Sequence, residues 1–276
     1  MKPWTVFRGL IAFLTAIPVK MDESFLDISA RFMYLFPVIG ALIGFLVGVY
    51  ASFTTNAMSL IFTTLNNVAF SGSHEAFFAF TAKGLASVMT LAFILVIIGL
   101  QHTDGLVDVG NALGMRKASL QDKMDIAHVW TVTRAGALFA LVVSFFTLIF
   151  IFFTKTDVLI QAFIVAEVAA KQAMVTTAWQ GTSPPQHLED KRGKGRSFID
   201  FMRKNSGLYT VSLAISLAFS VALLGLSGLF AIAAGILVGG FMIVLGKNVF
   251  GGVNGDIFGA TNEVARMVAL FVLVVI

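Results

Sequence analysis

Asp104, Asp108 and Asn111 stand at offsets of four and seven in the segment His102-Thr-Asp-Gly-Leu-Val-Asp-Val-Gly-Asn111. On a helix those offsets share one face. Two carboxylates and an amide would then point the same way, the hard oxygen set that a divalent cation takes. The segment follows an apolar run long enough to cross a bilayer, and carboxylates at a membrane edge cost free energy unless they serve a purpose. The plainer alternative is a solvated helix end whose acids keep a loop wet. Gly105 and Gly110 are poor residues for a simple helix extension and weigh against it.

Three other segments carry groups of chemical interest. Gly193-Lys-Gly-Arg196 lies in the most basic loop, between Lys191/Arg192 and Arg203/Lys204. Glycines such as Gly193 and Gly195 let backbone N–H groups converge on an anion, and Lys194 and Arg196 add charge, so this reads as a phosphate cradle. An anchor for anionic lipid headgroups would use the same residues. Asp256 and Glu263 stand seven apart in Gly255-Asp-Ile-Phe-Gly-Ala-Thr-Asn-Glu263, at the start of the last apolar segment. They read as a second half of a metal site, with acidic capping of a helix N-terminus as the alternative. Glu167 and Lys171, four apart inside an apolar run, read as an ion pair that neutralises itself in the bilayer. The alternative is that Lys171 reaches toward a bound anion.

Other signals fail. Gly246-Lys247 has the ending of a P-loop, but Phe241 replaces its first glycine and Asn248 its hydroxyl. His102 and His128 are scattered loop residues rather than a ligand pair, and no Ser-His-Asp arrangement follows from spacing.

The elements that must position these groups are membrane helices. Apolar residues make up 58% of the chain and charged residues 12%, outside the range of soluble domains. The apolar blocks approach the 20 residues that span a hydrocarbon core. They predict spans at Phe36–Phe53, Ala76–Leu100, Ala135–Phe153, Val158–Trp179, Leu208–Leu226, Phe230–Gly246 and Glu263–Ile276. The fold class is therefore all-α: a polytopic membrane bundle of about seven transmembrane helices. The polar stretches are too short for an independent core, so residues 1–276 form one integral-membrane domain. With no cysteine, disulfides and thiolate metal sites are excluded. The first 20 residues resemble a signal peptide, but Arg8 interrupts the run and no small-residue cleavage site follows. They predict a retained interfacial or re-entrant helix anchored by Trp4 and Phe7.

Lysine and arginine set the orientation. Residues 54–75 contain neither, which marks an external loop, whereas 101–134 and 180–207 are rich in both. Those two loops, and 247–262 with them, are expected in the cytoplasm. Every polar segment of interest then lies on one side, as for a site at a membrane face. Gly40, Gly44 and Gly48 predict a close helix contact. Ser119 with Asp122 predicts a capped surface helix in the loop 115–134.

Taken in order, these residues resemble the membrane-embedded cobalamin synthase family, the adenosylcobinamide-GDP ribazoletransferases. The likeness rests on Ala12-Phe-Leu-Thr-Ala-Ile-Pro-Val19, on Pro37, Gly40 and Gly44, and on His102, Asp104, Gly105, Leu106 and Asp108. It continues through Gly193 and Gly195 to Gly255-Asp-Ile-Phe-Gly-Ala-Thr261. Asn111 stands where the family usually has a third aspartate, and of its later Met-basic-Asp segment Met124 and Asp125 remain. The resemblance implies a Mg²⁺-dependent phosphotransferase of the cell membrane with its active site facing the cytoplasm. It would join adenosylcobinamide-GDP to α-ribazole or its 5′-phosphate and release GMP.

Displacement at a diphosphate needs charge neutralisation and a positioned hydroxyl. Asp104 and Asp108 would hold Mg²⁺, with Asp256 and Glu263 completing the site or holding a second ion. Asn111 would bind substrate beside them, and Lys194 and Arg196 would take the guanylate phosphate. His102 or one of the carboxylates would accept the ribose hydroxyl proton. Membrane lipid is an expected partner and nucleic acid is not; homo-oligomerisation is left open. Two other classes stay in view. CDP-alcohol phosphotransferases also place Asp-Gly at a membrane face, but continue with Ala-Arg where Asp108 and Val109 follow here. A secondary transporter would line its path with Glu167 and Lys171, but polar residues gathered on one side argue against it.

Overall fold

In hydrocarbon, backbone N–H and C=O groups find partners only within a helix or a closed barrel, and the apolar runs of this chain all become helices. The computed structural model describes residues 2–19, 25, 28–115, 117–128, 131–186 and 195–276, and among these there is no strand. The helices are α1 (Pro3–Leu14), α2 (Phe36–Phe70, preceded by a 3-10 turn at Ser29–Leu35), α3 (Glu75–Ile98), α4 (Gln101–Gly114) and α5 (Leu120–His128). They continue with α6 (Arg134–Phe153), α7 (Leu159–Gln180), α8 (Gly195–Lys204), α9 (Gly207–Phe250) and α10 (Gly255–Val275).

Among the described residues, six helices are long and apolar enough to cross a membrane: α2, α3, α6, α7, α9 and α10. The 44 residues of α9 would run about 66 Å as one rod, twice a hydrocarbon core. They fold back instead at Gly225, whose φ of 54° and ψ of −127° favour glycine. Beyond the bend, Gly228 lies against the carbonyl of Ser220. Ser212 and Ser216 in the first arm donate to Gln172, while Gly235 and Gly239 in the second lie against Ala169 and Ala173. The arms therefore run antiparallel along α7, and α9 supplies the two spans expected at 208–226 and 230–246.

The centre of the bundle is α7, buried on nearly every side. Its alanines let neighbours approach closely, and α2 does so through Gly40, Gly44 and Gly48. A Cβ at Gly44 would fall 2.3 Å from the Phe163 carbonyl oxygen, so the stripe is a packing surface. The twelve residues of α1 span about 18 Å, too short to cross. This helix buries Val6, Leu10 and Leu14 and leaves Trp4 68% exposed, the amphipathic arrangement of an interfacial helix.

Two predicted loops are shorter than the sequence suggests. Most of 54–75 continues α2, leaving the turn at 71–74. Only residues 251–254 of the loop expected at 247–262 separate α9 from α10, and the polar segment Gly255–Glu263 forms the first turns of α10. Thr54 and Asn56 donate to the Tyr50 and Ser52 carbonyls of their own helix and Asn254 caps α10, so polar residues do not end these helices where polarity suggested. The capped helix α5 forms as expected: Asp122 accepts from the Ser119 N–H and hydroxyl, and Ser119 Oγ accepts from the Asp122 N–H.

The connections sort to two ends. The turns at 71–74, at 154–158 and at Gly225 lie at one end; α4, α5, α8 and 251–254 lie at the other. At that second end Ala16 N–H donates to the Ile97 carbonyl and Val253 N–H to the Thr182 carbonyl.

Candidate active site

The site begins where α3 stops. Gly99, at a φ of 71°, breaks the apolar helix, and α4 restarts two residues later against α10 and α6. Helical glycines are unfavourable by about 1 kcal/mol relative to alanine, and here each marks a crossing. A Cβ at Gly105 would lie 2.6 Å from the Asp256 carbonyl oxygen, and one at Gly259 would lie 3.2 Å from His102 Cα. A Cβ at Gly110 would meet Gly136 and Phe139 at 2.8 Å. The extension of α4 as a helix, with its glycines at helix contacts, accounts for residues that sequence reasoning found odd.

This crossing brings the Asp104–Asp108 segment and Asp256 near enough for the charges of Asp104 and Asp256 to act on Asp108. Asp104 is exposed, Asp256 half-buried and Asp108 buried. Asn254 caps α10 by accepting from the Ile257 N–H, and its amide nitrogen donates to Asp256 Oδ2 at 2.8 Å. Burial, then the charges of Asp256 and Asp104, push the Asp108 carboxyl up to about 7. Among the described residues no group of three or more His, Cys, Asp or Glu side chains lies close enough to hold a metal ion as it stands. Even so, hard oxygen donors whose charges raise the proton affinity of Asp108 suit a divalent cation, which relieves that repulsion.

The other predicted residues divide. Gly195 opens α8 against Asn254, so the end of the basic loop abuts the start of α10. Arg196 donates to the Pro184 carbonyl at 2.7 Å. Gly193 and Lys194 lie outside the described residues. Asn111 turns away from the carboxylates: its amide nitrogen donates to the Thr131 carbonyl, and its oxygen accepts from the N–H and hydroxyl of Thr133. Thr133 in turn caps α6.

Glu263 and Lys171 are also elsewhere, in a buried polar cluster beneath the site. Glu263 Oε2 accepts from Arg266 Nη1 at 2.6 Å and its other oxygen from Asn262. Arg266 Nε donates to Glu167, Lys171 lies 3.7 Å from Glu167 Oε2, and Lys171 also donates to Asn262. Both oxygens of Glu263 are thus engaged, and Lys171 is fully buried. Arg266, three residues after Glu263 in an apolar span, is the sequence signal that marks this cluster.

His102 lies between the two clusters. Burial, then the cations Lys171 and Arg266, hold its imidazole well below the usual histidine range, so it is neutral near pH 7. Its Nδ1 is buried without a hydrogen-bond partner.

The fold and this arrangement define a polytopic membrane protein with an acidic site at one end of its bundle. The cobalamin-5-phosphate synthase family model matches residues 6–274, and the chain belongs to that family. The adenosylcobinamide-GDP ribazoletransferase of Methanococcoides burtonii is 30% identical over 97% of this chain and 91% of its own length. Those of Methanosarcina barkeri and Methanocella arvoryzae are each 28% identical, over 98% and 96% of this chain and 91% and 94% of their own. No solved structure matches the chain.

Proposed function

We propose that the chain is a phosphotransferase that joins adenosylcobinamide-GDP to α-ribazole, or to its 5′-phosphate, with release of GMP. A ribose hydroxyl attacks the phosphorus next to the cobinamide, the pyrophosphate P–O bond breaks, and GMP leaves with that oxygen. The observation that carries the reading is the α4–α10 crossing beside the start of α8, where the charges of Asp104 and Asp256 act on buried Asp108. Family membership supports it.

Asp104, Asp108 and Asp256 would hold Mg²⁺, which supplies charge neutralisation across the diphosphate. Glu263 is left out of this set because Arg266 and Asn262 occupy its oxygens. Arg196 and the backbone at Gly195 take the guanylate phosphate at the foot of the basic loop. His102, held neutral, accepts a hydrogen bond from the attacking hydroxyl and orients it. The buried cluster of Glu167, Lys171, Asn262, Glu263 and Arg266 ties α7 to α10 and fixes the depth at which Asp256 sits.

The site end carries Arg134, Arg203, Lys204 and Lys247 in addition to Arg196. That bias supports a multi-pass protein of the cell membrane with its site facing the cytoplasm. Outward-facing Phe80, Phe145 and Leu141 on α3 and α6 suit contact with lipid. Incubating the purified protein with both substrates and Mg²⁺ should release GMP in step with product. Absence of GMP from folded protein would refute the reading.

A further inference from the structure

A cavity of ≈ 170 Å³ opens beside the carboxylates, between α1, α2, α4, α8 and α10. Four phenylalanines line it, together with Leu14, Met33 and, from α7, Met174. Phe198 of α8 stacks on Phe13 of α1 with ring centroids 5.6 Å apart and 23° between planes, and it meets Phe36 and Phe258 at 6.0 and 6.2 Å. Among the described residues of its wall, side-chain polarity comes from Gln101 and His102, both on α4. The wall also includes Gly255 and Gly259, which flank Asp256 along α10. A ring system lodged here would place an attached sugar at the acidic site.

We infer that this aromatic cavity is the subsite for the planar base of the acceptor, the benzimidazole of α-ribazole; the inference rests on the function proposed above. Ribazole carries a fused aromatic ring with two methyl groups and one free ring nitrogen. An apolar slot with aromatic faces and two polar side chains matches that inventory. Guanine does not match: its carbonyl, ring N–H, exocyclic amine and N7 would enter a cavity able to answer few of them, at a substantial desolvation cost. The guanylate phosphate instead belongs with Arg196, as proposed above. The corrin macrocycle is far too large for this volume.

Two variants and two readouts test the subsite. Phe198→Leu keeps the wall apolar but removes a stacking face. Gly255→Leu adds a side chain to the cavity wall at a position where a Cβ meets no described atom within 4 Å. Equilibrium binding of α-ribazole to purified protein without donor, and separate KM values for donor and acceptor, are measured for each. Base–aromatic stacking is worth enough that Phe198→Leu should weaken acceptor binding at least about fivefold. Gly255→Leu should move it in the same direction, and the KM for adenosylcobinamide-GDP should stay unchanged. An adenine α-riboside should bind more weakly than α-ribazole to the wild type. A rise confined to the donor KM, or equal binding of the adenine riboside, would overturn the subsite. Should Phe198→Leu fail to fold, Gly255→Leu decides. Wild-type protein that binds α-ribazole but releases no GMP would sink the reaction and leave the subsite standing. GMP release with acceptor affinity unmoved in a folded variant would do the reverse.

Discussion

Gly105 and Asp256 are in direct backbone contact. The space a Cβ would occupy at position 105 ends 2.6 Å from the Asp256 carbonyl oxygen. This one crossing sets the distance between the two acidic segments, because Asp104 precedes Gly105 and Asp108 follows one turn later on the same face.

Gly105→Ala should therefore separate α4 from α10. Overpacking of this kind costs about 1–3 kcal/mol. A lowered thermal midpoint in detergent, together with loss of GMP release larger than the stability change explains, is expected. Wild-type activity in the variant would show that the crossing is dispensable.

Asp108 gives the metal-free protein a pH signature. Its carboxyl is raised from an ordinary value of 3.8 to about 7 in the folded state, so the fold binds a proton that the unfolded chain releases. The associated stability is complete below 3.8 and is lost as pH rises through about 7. Denaturation of metal-free protein should show stability falling across that window, and Asp108→Asn should flatten the fall. A divalent cation should offset the loss at neutral pH in the wild type, and should do so less in Asp108→Asn.

Removing the arginine of the buried cluster should be costly. Arg266→Met leaves Glu167 and Glu263 without their shared cation, and breaking a buried pair in this way costs about 3–5 kcal/mol. Adding Glu167→Gln and Glu263→Gln should recover most of the loss. A denaturation series in detergent measures both steps, and an additive further loss in the triple variant would contradict the pairing.

Asn111 holds a turn. Asn111→Asp keeps the acceptor for Thr133 but removes the donor to the Thr131 carbonyl, and it buries a charge. A loss of about 1–3 kcal/mol is expected from the unsatisfied group. Asn111→Ala should destabilise by a similar amount while leaving the affinity for the acceptor unchanged, which binding of α-ribazole would check.

Much of this was legible in the residues. Apolar block length marked the spans, and the offset of four between Asp104 and Asp108 marked one face. Spacing within a helix says nothing about what lies across from it, so Glu263 read as a metal ligand although Arg266 and Asn262 occupy it. Asn111 likewise shares the helical offset but is drawn off by Thr133, twenty-two residues away. The fold-back at Gly225 is carried by one residue's backbone angles, and the aromatic cavity joins Phe13, Phe36, Phe198 and Phe258 from four helices. Neither leaves a local pattern.

The most direct measurement is Mn²⁺ binding, by electron paramagnetic resonance, to folded wild-type protein and to Asp104→Asn, Asp108→Asn and Asp256→Asn. One tight site should be present in the wild type and weakened in every variant, because α4 and α10 would supply ligands to the same ion. Undiminished Mn²⁺ affinity in Asp256→Asn, alongside loss in the other two, would contradict a shared site.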